Sequence, residues 1–175
     1  MFSTYAADRG FTLIEILIVI GIIGILSQVV ITSVNVARDK AEVTTAVAEL
    51  DGLRKAMEIQ YDDTKLYSNT ANTLCRTIVP PDNEISLNDA NAGLVANGLG
   101  WTGWNGPYVS DAVDPWGSPY YLDEDYDCTA ATRGCKDETV SGISVIVSCG
   151  LDRDMSGDNG SCAYNDDNIV YRLCS

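Results

Sequence analysis

Hydrophobicity along this chain changes character three times. The first ten residues, MFSTYAADRG, are short and polar. From Phe11 to Ile31 the chain is apolar on every side, with Glu15, Ser27 and Gln28 among its few strongly polar members. Those 21 residues predict a helix long enough to span a bilayer at the usual rise of about 1.5 Å per residue. A cleaved secretory signal would carry a basic start and a small-residue cleavage site after its apolar core. Here the charge and Gly10 precede the core, and no A-x-A site follows it. The apolar segment is therefore expected to stay in the mature protein. Beyond it no proline intervenes, and Val43, Ala46, Val47, Leu50, Leu53 and Met57 recur at steps that predict one apolar helical stripe. Gly52 lies within the stripe at a cost of about 1 kcal/mol relative to Ala. The pattern predicts one helix over 12–61, oily all round in its first half and amphipathic in its second.

From Thr64 the punctuation turns to SNTANT, VPPDNE, NDANAG and NGLGWTGWNG, a long turn-rich connection with a short helix expected near Asp89 to Asn97. Three strand candidates follow: PYYLD (119–123), SGISVIVSCG (141–150) and NIVYRLC (168–174). In the second, Ile143, Val145 and Val147 alternate with Ser144, Ile146 and Ser148. Together they predict an α+β fold: a long N-terminal helix whose amphipathic half packs on a small antiparallel sheet that buries one face.

Charge narrows the function. The formal net charge is −14, from 25 acidic and 11 basic side chains. Phosphate binding needs clustered Lys and Arg, so direct nucleic-acid binding is not expected. Thirteen acids lie between Asp111 and Asp167 against Arg133, Lys136 and Arg153. Most of these acids read as a solvated surface, with cations and basic protein surfaces as the natural partners.

The six cysteines are Cys75, Cys128, Cys135, Cys149, Cys162 and Cys174, with no C-x-x-C pair and no histidine in the chain. Zinc sites want tightly spaced Cys and His ligands, so disulfides in an oxidising compartment are the better reading. Sequence alone cannot choose among the many pairings. Cys128–Cys135, Cys149–Cys162 and Cys75–Cys174 are the set favoured, since each closes a plausible loop and the last ties down the C-terminus. The alternative leaves some thiols free and buried.

RGFTLIEILIVIGIIGIL, residues 9–26, resembles the N-terminus of the class III signal-peptide proteins, the type IV pilins and the pseudopilins of type II secretion. The resemblance implies a leader at 1–10, cut by a prepilin peptidase between Gly10 and Phe11, with Phe11 methylated as the new N-terminus. It implies a membrane and filament-core helix over 11–31, an amphipathic helix over 32–61 and a globular head over 62–175. Glu15, at the fifth mature position, would meet the N-terminal amine of a neighbouring subunit. A lone carboxylate in hydrocarbon is costly and a neighbour's cation offsets that cost, so Glu15 would act as a register mark in assembly. The plain alternative is a Glu tolerated at the membrane interface. WNGPYVSDAVDPWGSPYYLD (104–123) resembles the major pseudopilin pattern, with Asp114–Pro115–Trp116–Gly117 as a tight turn that serves as scaffold. Two departures stand out: Thr32 sits in the neighbourhood where many relatives carry a helix-weakening proline, leaving Gly21 and Gly24 as weak points, and Arg9, offset by Asp8, is the leader's one basic residue.

CGLDRDMSGDNGSCAYNDDNI (149–169) resembles the calcium loop of the same pseudopilin. The residues add their own argument. Asp152, Asp154 and Ser156 alternate before Gly157, the first half of a D-x-D-x-S-G loop that points oxygens at one ion, and Asp158 stands at the next alternate position. Ala163 occupies the place of the EF-hand's closing acid, so this is not an EF-hand. Asp166 or Asp167 would supply the missing oxygens, with backbone carbonyls such as that of Leu151. The expected cofactor is Ca²⁺; the alternative is an ion-free turn held by Cys149–Cys162.

No catalytic set is visible. There is no His for a triad, and neither a G-x-S-x-G nor a phosphate loop occurs. The acids of YLDEDYD (121–127) could at most imitate a glycosidase pair. The resemblance implies a structural, homo-oligomeric helical filament, built by an inner-membrane assembly platform and its separate ATPase motor. Its subunit would be a single-pass inner-membrane precursor before joining an extracellular pilus or a periplasmic pseudopilus. A membrane-anchored calcium-binding domain that never polymerises is the rival.

Overall fold

Helix α1 runs unbroken over Leu13–Thr64, followed by strand β1 (Ile85–Ser86), a 3-10 turn at Ala90–Ala92, and strands β2 (Tyr121–Cys128), β3 (Val140–Ser148) and β4 (Ile169–Arg172). The computed structural model describes residues 10–69, 71, 84–129, 131–135, 139–154, 162 and 167–173. The four strands form one antiparallel sheet in the order β1-β2-β3-β4. The result is the α+β, pilin-like arrangement expected. The chain divides into two compact units between Lys40 and Ala41.

In the first unit residues 10–28 and 30–40 are all exposed. Ser27 Oγ donates to the Ile23 carbonyl at 2.7 Å and Thr32 Oγ1 to the Gln28 carbonyl at 2.9 Å. Both hydroxyls thus spend their proton on the helix itself, which keeps the apolar surface continuous. By length and composition α1 can cross a membrane.

In the second unit α1 becomes one-sided. Ala46, Leu50, Leu53, Ala56 and Met57 are buried with Leu87, Ala92, Leu94, Ala112, Trp116, Tyr120, Leu122, Ile146 and Ile169. Val47, expected in the stripe, is 46% exposed: it follows buried Ala46 directly, and about 100° of helical turn per residue carries it off that face. Gln60 prolongs the stripe instead. It is fully buried, donating Nε2 to the Ala92 carbonyl at 2.7 Å and accepting from Ser68 Oγ at 3.1 Å. Tyr120 Oη donates to Glu49 Oε2 at 2.7 Å, which joins the helix to the chain entering β2. The helix ends three residues later than expected. Lys65 takes φ +61° and donates its N–H back to the Tyr61 carbonyl at 2.8 Å, a left-handed stop.

The sheet buries both faces, not the one expected. Ile146 joins the helix-side core, while Val145 and Val147 pack on the other side with Tyr121, Tyr126, Val170 and four half-cystines, Cys128, Cys135, Cys149 and Cys162. The half-cystines thus cover part of a face that would otherwise meet solvent. The first predicted strand begins two residues late and continues through the acidic run, because β3 supplies its ladder by register shifts after Asp123. The helix expected near Asp89 to Asn97 shrinks to the 3-10 turn. Asp89 caps it, accepting from Asn91 N at 2.7 Å. Gly93, at φ +77°, ends it against Gln60 and Trp101, where a β carbon would overlap the Gln60 side chain.

Gly52 offers a direct check on the helix. A β carbon there meets nothing within 4 Å. Gly52→Ala should raise the stability of the head by roughly 0.5–1 kcal/mol, read as a higher denaturant midpoint with an unchanged slope.

Candidate functional sites: the apolar helix start and the acidic loop

The helix start is organised by Glu15. Its Oε2 accepts from Thr12 N and from Thr12 Oγ1, both at 2.8 Å, while Thr12 Oγ1 accepts from Glu15 N at 3.3 Å. This is a capping box, in which residue and cap satisfy each other's open hydrogen bonds. Glu15 therefore has a role within its own chain besides any role between chains. Around it Phe11 is 84% and Leu13 83% exposed. Gly10 has no neighbour against which a β carbon would pack.

The tight turn expected at 114–117 is present, with Asp114 and Trp116 buried and Gly117 exposed. Asp114 Oδ1 accepts from Trp116 N at 3.1 Å and Ser118 N at 2.8 Å, and Gly117, at φ +94°, donates its N–H to the Asp114 carbonyl at 3.0 Å. The other oxygen, Oδ2, accepts from Ser148 Oγ at 2.6 Å, and that same Oγ accepts from Gly150 N at 3.2 Å. The scaffold turn thus reaches the acidic loop through one serine hydroxyl.

In the loop the structure brings Asp152 to Asp167. Asp167 Oδ2 accepts from Asp152 N at 3.0 Å, and Asp152 Oδ1 accepts from Asp154 N at 2.9 Å. Gly150, at φ +71°, lies flat against Asp167, where a β carbon would overlap the Asp167 carbonyl and stand 2.8 Å from its Oδ2. The Leu151 side chain points to solvent, 58% exposed. Asp158 and Asp166 lie outside the described residues. The Cys128–Cys135 and Cys149–Cys162 disulfides are formed as expected; Cys75 and Cys174 lie outside the described residues. The donor set at Asp152 and Asp167 is hard oxygen, and the absent Gly150 side chain leaves the backbones in contact. Hard oxygen is the ligand class that a hard cation takes, whereas the backbone contact at Gly150 is packing and supplies no ligand.

A carboxylate cluster not anticipated from the sequence lies elsewhere. Among the described residues, the group of three whose oxygens all lie within 4.8 Å of one another is Glu84, Asp123 and Asp125; Asp152, Asp154 and Asp167 do not form such a group. Asp123 and Asp125 alternate on β2, which the acidic run YLDEDYD signals, but Glu84 arrives through pairing of Ile85 with Leu122. Asp123 is 2% exposed. Burial pushes its carboxyl up to about 7, with the negative charges of Asp125 and Glu84 adding to the rise and the Asp125 N–H opposing it.

Comparison with known proteins adds to this geometry. Residues 6–27 match the family described as "Prokaryotic N-terminal methylation motif". The chain is 31% identical over 113 residues to the type II secretion system core protein G of Pseudomonas aeruginosa, an alignment covering 65% of this chain and 71% of that one. To the protein of the same name from Escherichia coli strain K12 it is 30% identical over 116 residues, covering 66% and 71%. It is also 44% identical over 52 residues to a fimbrial protein of Pseudomonas aeruginosa, covering 30% and 34%. No solved structure matches the chain.

The Asp123 environment sets a pH dependence. A carboxyl whose folded pKa lies above its unfolded value of about 3.9 contributes stability that is fully present below the unfolded value and lost as pH rises through the folded one. The stability of the wild-type head relative to Asp123→Asn should therefore fall as pH rises from about 4 to about 7. Denaturant unfolding of both across that range checks it, and parallel curves would remove Asp123 from the account.

Proposed function

The chain belongs to the family of the type II secretion system core protein G and is a type IV filament subunit, and on that premise we propose that it builds the pseudopilus of a type II secretion system. The alignment with core protein G carries this choice: at 113 residues it outruns the 52 of helix α1 and so reaches into the head, whereas the fimbrial likeness covers 52 residues. The role is structural, not catalytic. The precursor sits in the inner membrane through residues 11–31, a prepilin peptidase cuts between Gly10 and Phe11, and Phe11 is methylated. An assembly platform and its ATPase motor then move the subunit into a homo-oligomeric helical filament in the periplasm. With its strongly acidic balance, the chain has no direct role in binding nucleic acid.

Burial of the exposed Phe11–Ile31 surface against other copies drives polymerisation. Glu15 sets the register. Its carboxylate, held by Thr12 in the single chain, meets the Phe11 amine of a neighbour. Calcium is the proposed cofactor. Asp152 and Asp167, with the Leu151 carbonyl and with Asp154, Asp158 or Asp166, would hold it. The ion would supply positive charge that joins the end of β3 to the start of β4.

Three measurements test this reading. Intact mass and N-terminal analysis of the protein recovered from cells should give a chain beginning at N-methylated Phe11, found in filaments when the system is overproduced. A mature chain without filaments would favour the anchored calcium-binding domain instead. Glu15→Gln keeps the capping box but removes the charge; it should leave membrane insertion intact and reduce filament yield, and normal filaments would refute the register role. Calcium at about 100 times its Kd should stabilise the head by about 2.7 kcal/mol, seen as a higher Tm, and Asp152→Ala with Asp167→Ala should abolish the rise.

A further inference from the structure

Asparagine followed by glycine is the pair in which the backbone attacks a side-chain amide most readily, because glycine puts no β carbon in the way. The chain has three such pairs, Asn97–Gly98, Asn105–Gly106 and Asn159–Gly160. The last lies outside the described residues. The structure separates the other two.

At Asn97–Gly98 both reacting groups are occupied. Asn97 Oδ1 accepts from Trp101 N at 2.6 Å, and its Nδ2 donates to the Trp101 carbonyl at 3.2 Å. Gly98 N donates to the Ala90 carbonyl at 2.9 Å. Attack at this pair requires all three hydrogen bonds to break. At Asn105–Gly106 nothing of the kind stands in the way. Asn105 is exposed, and neither its side chain nor the Gly106 N–H has a hydrogen-bond partner among the described residues. Gly106 itself is dictated by packing: a β carbon there would stand 2.7 Å from the Trp104 ring and 3.0 Å from that of Tyr108. The edge-on Trp104–Tyr108 pair, with ring centres 5.8 Å apart, thus requires the residue that makes Asn105 reactive.

We infer that Asn105 is a modification site, at which the folded head converts asparagine to aspartate and isoaspartate without an enzyme, while Asn97 stays protected. The Gly106 nitrogen bonds to Asn105 Cγ and gives up its proton; the Cγ–Nδ2 bond breaks, and the amide nitrogen leaves as ammonia. The cyclic imide so formed then takes up water. Cleavage between Cγ and the Gly106 nitrogen yields aspartate. Cleavage between the Asn105 backbone carbonyl carbon and that nitrogen yields isoaspartate, in which the main chain runs through the side chain. One water is consumed and one ammonia released, with no oxidation or reduction. Either product adds a negative charge to a chain that already carries −14. The change falls at an anchoring point. Asn105 N donates to Tyr108 Oη at 3.2 Å, and that hydroxyl donates to Asp63 Oδ2 on α1 at 2.9 Å. Isoaspartate lengthens the main chain between Trp104 and Gly106 by one carbon, and so loosens the loop from Tyr108 and from its tie to the helix.

The test incubates the full wild-type chain in detergent micelles at mildly alkaline pH, then maps its peptides by mass spectrometry and labels them with an isoaspartyl methyltransferase. Asn105 should be converted roughly 10-fold or more faster than Asn97, equivalent to about 1.4 kcal/mol of barrier, a difference that the hydrogen bonds of Asn97 and Gly98 are able to supply. The same chain unfolded in denaturant, with its disulfides reduced, is the reference. There the two rates should converge, which assigns the difference to the fold. Asn105→Gln, whose longer side chain closes a larger ring more slowly, should abolish the signal at 105 and leave Asn97 unchanged. Equal conversion of the two sites in the folded chain, faster conversion at Asn97, or conversion at neither would overturn the inference. So would a difference that persists unchanged in denaturant. None of these readouts depends on filament assembly or on calcium, so the inference stands or falls apart from both.

Discussion

An apolar helical surface that its own chain leaves uncovered cannot stay in water, and that constraint governs the first unit of this protein. From Phe11 to Ile31 large aliphatic side chains are half exposed or more. Lipid and other copies of the same helix are coverings that suit such a surface. The hydrogen bonds of Ser27 and Thr32 to their own helix suit either covering, since neither hydroxyl then requires a donor or acceptor from the surroundings. At these two positions the segment can pass from one covering to the other without exchanging hydrogen bonds.

The second unit solves a different problem. One helix face and a small sheet supply a core, but a domain of this size buries only a modest share of its surface. Two rings closed by Cys128–Cys135 and Cys149–Cys162 add a second cluster on the far side of the sheet. The carboxyl of Asp114 joins the two regions, because its oxygens serve the turn before β2 and the hydroxyl at the end of β3. Scaffold and acidic loop are therefore parts of one hydrogen-bonded assembly.

Much of this was legible in the sequence, for identifiable reasons. The helix and the two later strands follow from periodicity, and both described disulfides follow from short spacings in a chain bound for an oxidising compartment. Val47 misleads because apolar character alone does not fix a helical face when its neighbour Ala46 takes the buried position. The capping box was readable in the string T-L-I-E, provided Glu15 is weighed as a cap as well as a charge in lipid. Glu84 was not readable beside Asp123, because its place depends on a two-residue strand in a turn-rich stretch. Nor was the Asp114–Ser148–Gly150 chain, since Asp114 and Ser148 are separated by 34 residues and meet only in the folded sheet.

The burial of the four half-cystines has a consequence for the order of events. Cys128, Cys135, Cys149 and Cys162 are each at most 2% exposed, so an oxidant meets their thiols only while the far side of the sheet is still open. The helix-side core contains none of these sulfurs and can close on apolar contacts alone. Maturation of the head is thereby staged: one half of the interior can be completed by the chain itself, and the other waits for a reaction with its surroundings. A head whose far side has closed around formed disulfides carries a lasting record that oxidation came before closure.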